Sequence, residues 1–519
     1  MTNTGVDTQD LYVLNSTATS YAYDGVLYPF QLRQESIRVK GEADVRLTVR
    51  STQHHGAVVS DCSELVGERI ASSGIALALR WVSTDPTIHD TTFSAFYGLQ
   101  RAFDWETFRA ALSKWTAPSQ NVVFAQAPDR RSEGRGGSSG DGAPGGALGY
   151  QMPGHVPLRN RSTALTVNNT GAWPVPGDSS AFAWLAQPWD YNALPRALNP
   201  GKGYIVTANN PPLPQAWPHF LSADWDCGGE GYRAARITEL VQRDASGAAG
   251  EAQGGGGGEG GGGHTPDSIA RVQTDYRSLF AEALCSALSI CLRTAEATPA
   301  GAALAARLAA WDKVMGVGST EATLFADVWA RLGVLGAAEG GGGGVWRDPQ
   351  FLLAALGSDG AAGGSDPACA AAGHATCAAA AAAALDATAA AFGLQEGRQP
   401  VPRWGVDVHL ARAEHEVLHG SALGCLADRQ VGHGGDAYTV NVGGFELEDA
   451  ARVQSHGPSV RHVMVLGESE DASKWVQPMG QEGDLLSAQY DNLLERWAAG
   501  AYMPMAWDFV EKEALVLAP

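Results

Sequence analysis

Pro211 and Pro212 fix where one strand of this chain must stop. Proline has no backbone N–H, so two in a row end any hydrogen-bonded ladder. The residues before them run Asn199-Pro200-Gly201-Lys202-Gly203-Tyr204-Ile205-Val206-Thr207-Ala208-Asn209-Asn210. They read as a turn, then a short buried strand over Tyr204–Val206, then a strand end bearing two adjacent carboxamides. Carboxamides on backbone pinned in this way present N–H donors in a fixed direction, which is what an oxyanion stabiliser requires. Asn is also common in turns for local backbone reasons, and the spacing is compatible with either role. Gly231-Tyr232-Arg233-Ala234-Ala235-Arg236-Ile237 closes the block.

The length of 519 residues holds one large domain or several, and an apolar fraction of 45% supports a sizeable core. A net charge of −20 argues against nucleic acid and anionic membranes as partners and suits calcium. Seven cysteines without a CxxC pair do not make a disulfide scaffold. Cys285 and Cys291 fall on a helical pattern and read as small core residues. No apolar run is long enough to span a bilayer, and no signal peptide precedes Thr2; the compartment stays unassigned. The sequons at Asn15, Asn160 and Asn168 matter only for a secreted chain.

The texture runs β, then α, then β. Residues 1–240 are β-rich. Ile37 and Val39 face Val45, Leu47 and Val49 across Gly41-Glu42-Ala43-Asp44, a hairpin signal. Leu77–Ser83 reads as a strand, Asp104 as the cap of a helix carrying Phe108, Leu112 and Trp115, and Asn121–Ala125 with Leu148–Gln151 as paired strands. Residues 265–400 turn helical, with one long helix from Asp267 through Ala283 and further helices over Ala303–Trp311 and Thr320–Leu332. The Gly- and Ala-rich runs at 130–146, 254–263, 340–344 and 357–392 read as surface-loop insertions, and 254–263 lacks the Lys-Ser/Thr of a phosphate loop. Residues 401–519 return to strands, at Tyr438–Val442 and Val463–Leu466, and end on a helix over Ser487–Ala499. This order predicts one α+β domain whose last strands rejoin the first sheets.

Two clusters suggest metals. His415-Glu416-Val417-Leu418-His419 matches His-Glu-x-x-His, which on a helix would set two imidazoles on one face for zinc. Gly420 and Ser421 would end that helix at once, and no third ligand follows. Asp7-Thr8-Gln9-Asp10 is an oxygen-rich turn suited to a hard cation, or equally a solvated acidic loop. No Gly-x-Ser-x-Gly has the strand–turn–helix pattern of a nucleophile elbow around it.

In order along the chain, several blocks resemble one family. Thr2-Asn3-Thr4-Gly5-Val6-Asp7-Thr8-Gln9-Asp10-Leu11-Tyr12 comes first, then His55-Gly56, Ala78-Leu79-Arg80-Trp81 and Ala117-Pro118-Ser119-Gln120-Asn121. Pro174-Val175-Pro176-Gly177, the Asn209-Asn210 run, Asp224-Trp225, Gly434-Gly435-Asp436, His456-Gly457-Pro458-Ser459 and Gln489-Tyr490-Asp491 follow. Together they are similar to the large subunit of the penicillin acylases, members of the N-terminal-nucleophile hydrolases. The resemblance implies an α+β four-layer αββα sandwich, truncated at its N-terminus, with a helical excursion and Gly/Ala-rich loop insertions. It implies hydrolysis of linear amides through an acyl-enzyme. Asn209 and the backbone N–H of Asn3 would form the oxyanion hole, and Arg236 would hold the catalytic region. Asp7, the Gln9 and Gly171 carbonyls, Asp10 and Asp224 would bind a structural Ca²⁺. The implied partners are a small acyl amide substrate, and an upstream nucleophile segment with a small subunit. In the family an N-terminal serine attacks, with its own α-amino group as base. That serine would precede Thr2, so the chain is expected to be a fragment that is inactive alone. A bared Thr2 is the other nucleophile to weigh, and a non-catalytic remnant that binds acyl amides the other class of function.

Overall fold

The computed structural model describes residues 1–61, 74–128, 146–160, 171, 173–213, 221–222, 231–246, 263–335, 349–358, 369–370, 373–394, 400–467 and 472–505. Asp224, the 254–262 and 340–344 glycine runs and most of 130–146 lie outside the described residues. The chain divides into two compact units, Met1–Gly229 and Glu230–Pro519.

The first unit is built on a six-stranded sheet. Its order is Val175–Pro176, Gln9–Asn15, Ile75–Trp81, Gly56–Val58, Val45–Thr52 and Gln31–Ile37. The first pair is parallel and the rest antiparallel. Alternation along Gln9–Asn15 sends Asp10, Tyr12 and Leu14 to one face, where all three are buried. Tyr12 and Leu14 pack there with Ala76, Ala78, Val58, Val175 and Phe182. Asp10 is therefore carried into a core by the same periodicity that buries its apolar neighbours, and it needs a partner. The predicted hairpin forms, with Ile37 opposite Val45.

A four-stranded antiparallel sheet, in the order Thr2–Asn3, Gln120–Gln126, Ala147–Gln151 and Arg196–Leu198, carries the start of the chain. Behind it sits the Trp105–Leu112 helix. Its capping box is complete: the Asp104 carboxylate accepts from Thr107 N at 2.7 Å, and the Thr107 hydroxyl accepts from Asp104 N at 3.2 Å. Phe108, Leu112, Trp115 and Val122 form the core between. A third pairing joins Pro157–Arg159 to Trp184–Pro188, with Arg159 opposite Trp184.

Two expectations need correction in this unit. Tyr204–Val206 forms no strand; it is half-buried, irregular chain. The Asn199 hydrogen bonds to Leu148 and the side-chain contacts of Thr207 and Asn209 hold the segment instead of a ladder. Gln9 and Asp10 lie in a strand and not in a turn.

The second unit opens on the Tyr232–Ala245 helix, whose Gly231 N-cap adopts a φ of 60°. The single helix expected from Asp267 is two, Pro266–Gln273 and Leu279–Cys291, capped by Thr265 and Ser278. The break is fixed by Asp275 and Ser278, whose side chains bond backbone N–H groups that a continuous helix would use. Further helices cover Pro299–Ala310, Thr320–Leu335, Pro349–Ser358 and Cys377–Ala391.

The last corrects the surface-loop reading of 357–392. Ala378, Ala380, Ala381, Ala382, Ala384, Leu385 and Ala389 are all buried. Small side chains let the backbone come close: a Cβ on Gly301 would fall 2.0 Å from Asp386 Oδ1. A disulfide joins Cys369 to Cys377. Cys285 and Cys291 are buried as expected, and burial pushes the Cys285 thiol up to about 11.

Among the described residues the late strands are paired within their own unit. The described ones pair among themselves, Leu410–Ala413 with Arg429–Gly432 and Arg461–Val463 with Lys474–Val476. Tyr438–Val442 is a turn, because Asp436 Oδ1 accepts from Tyr438 N at 2.8 Å and the Thr439 hydroxyl caps the same loop. The final helix is shorter than expected, Leu494–Ala498.

Candidate functional site

The Thr2–Asn3 strand meets the end of the 199–210 run. Asn209 Nδ2 donates to the Asn3 carbonyl at 2.8 Å across 206 residues of sequence. Beside it, the Thr2 and Thr207 hydroxyls bond at 3.1 Å. Asn209 has a φ of 62°. A non-glycine residue in the left-handed region costs of order 1–3 kcal/mol and persists where surrounding contacts hold it. Here Asn210 accepts from Ala208 N at 3.1 Å, and its own amide donates to Pro211 O. The two adjacent carboxamides therefore separate: Asn210 shapes the turn, and Asn209 reaches the first strand.

A third amide is part of this cluster and was not singled out from the sequence. Asn121 is 1% exposed, and its Nδ2 lies 3.3 Å from both the Asn3 carbonyl and Thr2 Oγ1. Tyr150 donates to Asn121 Oδ1 at 2.7 Å, which orients the amide. The Asn3 carbonyl thus accepts from two carboxamides, and its peptide plane is held. The Thr4 N–H lies in the same peptide plane, so its direction is fixed with the carbonyl. Asn121 stood inside a block that carries the resemblance, but only the register placing Thr2 opposite Asn121 reveals its partner.

Arg236 belongs to the second unit. Its guanidinium makes a two-point pair with Asp275, Nε to Oδ1 at 2.9 Å and Nη2 to Oδ2 at 2.8 Å, and Nη1 meets Glu239 at 2.9 Å. The Asp275 hydrogen bond holds its pKa above the usual arginine value. The same pair anchors the break between two helices, so Arg236 has a structural partner of its own.

The expected calcium ligands come together only in part, and around a different cation. Arg159 Nη2 lies 2.7 Å from Asp10 Oδ1 and 3.1 Å from Asp7 Oδ1, and its Nε lies 2.9 and 3.0 Å from the two Asp10 oxygens. Nη2 also donates to the Asp7 carbonyl at 3.2 Å. Trp184 Nε1 donates to Asp10 Oδ2 at 2.7 Å. Gly171 closes over the pair: a Cβ there would sit 2.3 Å from Arg159 Nη2 and 2.5 Å from Asp7 Oδ2. Burial pushes Asp7 up to about 6 against the opposing pull of Arg159. A calcium ion asks for roughly six to eight oxygen ligands at about 2.3–2.6 Å. The two Asp10 oxygens, already taken by guanidinium and indole N–H groups, do not fit it. Asp224 lies outside the described residues.

His415-Glu416-x-x-His419 falls on a turn after the Leu410–Ala413 strand, so the helix a zinc site needs is not there. His415 Nδ1 accepts from Val417 N and Leu418 N at 3.2 Å. His419 Nδ1 pairs with Asp428 at 2.8 Å, and that bond raises its pKa. Among the described residues no three His, Cys, Asp or Glu side chains gather closely enough to hold a metal, and no helix is long and apolar enough to cross a membrane.

Penicillin acylase 2 proenzyme of Pseudomonas sp. (strain SE83) is 26% identical over 99% of this chain and 59% of that protein. An acyl-homoserine lactone acylase QuiP of Pseudomonas fluorescens (strain Pf0-1) is 26% identical over 46% of this chain and 26% of its own length. The chain therefore spans between about a quarter and three-fifths of these relatives. A solved structure, thermostable penicillin G acylase from Alcaligenes faecalis, superposes with a TM-score of 0.65 at 16% identity, covering 100% of this chain and 87% of that one. The mixed α/β fold is thus that of penicillin G acylase. The penicillin amidase family model matches residues 1–514, and the chain belongs to the penicillin amidase family.

Proposed function

We propose that this chain carries the oxyanion-stabilising part of an amide hydrolase acting on linear acyl amides. The observation that carries the reading is the Asn209 carboxamide, 2.8 Å from the Asn3 carbonyl, on backbone strained to a φ of 62°. A carboxamide nitrogen has two N–H bonds. One points at the Asn3 carbonyl, and that bond fixes the plane in which the amide N–H groups lie. A substrate carbonyl placed against Asn209 and the Asn3 N–H becomes a tetrahedral oxyanion when attacked. Charge grows on that oxygen in the transition state, so donors already oriented lower the barrier without reorganising.

The attacking group in this reading is an N-terminal serine, with its α-amino group taking the proton. The amine product leaves, water hydrolyses the acyl-enzyme, and the acid is released. The relatives named above are acylases of penicillin and of acyl-homoserine lactone, so an acyl amide is the substrate class of choice.

The test assembles this chain with a segment that begins in serine and offers phenylacetyl and long-chain acyl amides. Expected are amine release and a trapped ester on that serine by mass spectrometry, both absent with the chain alone. Binding of the same amides with no turnover in the assembled protein would instead favour a binding remnant and overturn the reading.

A further inference from the structure

The place that the resemblance assigns to a structural metal ion is taken, in this chain, by a side chain of its own. Alternation along the Gln9–Asn15 strand turns Asp10 into the core, and the Pro157–Arg159 strand, paired with Trp184–Pro188, turns Arg159 and Trp184 onto it. The side chains of Arg159, Asp7 and Asp10 are 7%, 12% and 1% exposed. The guanidinium spans both carboxylates and the Asp7 carbonyl, so it ties the Asp7–Asp10 segment to the Pro157–Arg159 strand, as a clamp ion would, and Trp184 joins them through Asp10. Asp10 offers about four lone-pair sites. Arg159 Nε and Nη2, with Trp184 Nε1, supply donors to both of its oxygens at 2.7–3.0 Å. A divalent ion on the same oxygens would meet a buried positive charge at contact distance, and a weakly screened interior makes that repulsion large.

We propose that Arg159 replaces the structural divalent cation, locking the Asp7–Asp10 segment in place without a metal. Arginine suits the role because its planar fork gives fixed, always charged donors. The inference concerns the fold of this chain and stands whether or not the chain hydrolyses amides.

The experiment is thermal unfolding of the full chain in excess EDTA and in millimolar calcium, for wild type and Arg159→Gln. Wild type is expected to melt at one temperature in both. Arg159→Gln leaves two buried carboxylates without a cation; its midpoint should fall by roughly 5–15 °C, and calcium should restore part of the loss. A wild-type midpoint lowered by EDTA and restored by calcium overturns the proposal. So does a folded Arg159→Gln that ignores calcium. If that variant does not fold, equilibrium dialysis of calcium against wild type decides. Absence of stoichiometric binding, or binding that survives Asp7→Asn, supports the proposal, and one ion per chain abolished by Asp7→Asn overturns it.

Discussion

A peptide carbonyl that accepts from two carboxamides is the residue-level fact behind this account. Asn3 receives Asn209 at 2.8 Å and Asn121 at 3.3 Å, and Tyr150 steadies the second. Replacing Asn121 with Ala leaves the buried Tyr150 hydroxyl without this acceptor and loosens the Asn3 plane. The expected cost is about 1–3 kcal/mol of stability by urea titration, together with a lower kcat. A variant as stable as wild type would show that Asn121 is not part of the support. The sequence pointed to Asn209 and Asn3 through the resemblance, and to a strand-end amide through the prolines. It did not point to Asn121 as a partner, because the two residues meet only through strand register. For the acidic pair at Asp7 and Asp10 the sequence reading went to a metal ion, and the structure pairs both with Arg159. Nothing local relates positions 149 residues apart.

Elements were legible where their signals were local. The Gln31–Ile37 and Val45–Thr52 hairpin and the Asp104-capped helix form as the patterns predict, since alternation and capping act within a few residues. Tyr204–Val206 has strand composition but no ladder in this structure, and β-propensity alone does not create a partner. The alanine tract was misread for the opposite reason. Low complexity looks like a loop, yet alanine has the highest helix propensity and permits close packing. Cys377–Ala391 is accordingly a buried helix. Ala381, fully buried, gives a direct check. Ala381→Leu adds volume where the packing has no room and should cost about 1–3 kcal/mol, read as a lower denaturant midpoint. A neutral or stabilising outcome would return the tract to the surface.

On the scale of the whole molecule, buried histidines make the second unit sensitive to acid. In the second unit, burial lowers His409 to about 3 and His433 to about 4, and raises Asp436 to about 6. The histidines are stacked on Trp404 and Trp497 and held neutral. Their contribution is complete above the unfolded histidine value of 6.5 and is lost as pH falls toward 4. Asp436 works in the other direction, since its penalty is relieved as pH falls from about 6 to 3.8. Two histidines outweigh one aspartate, and the balance at pH 5 is a loss of about 2–3 kcal/mol. Hydrogen exchange, corrected for intrinsic rate, should therefore show protection around 404–441 falling between pH 7 and pH 5; protection that rises would contradict the assignment. The central claim, that Asn209 serves the transition state beyond the bond it makes to Asn3, rests on one comparison. In the enzyme assembled with its serine-bearing segment, Asn209→Gly keeps a residue at ease with a φ of 62° while deleting the amide. The account predicts a melting temperature only a few degrees below wild type, from the lost Asn3 bond, a KM little changed, and a kcat lower by about 10²–10³. An Asn209→Gly enzyme that keeps its kcat would contradict it.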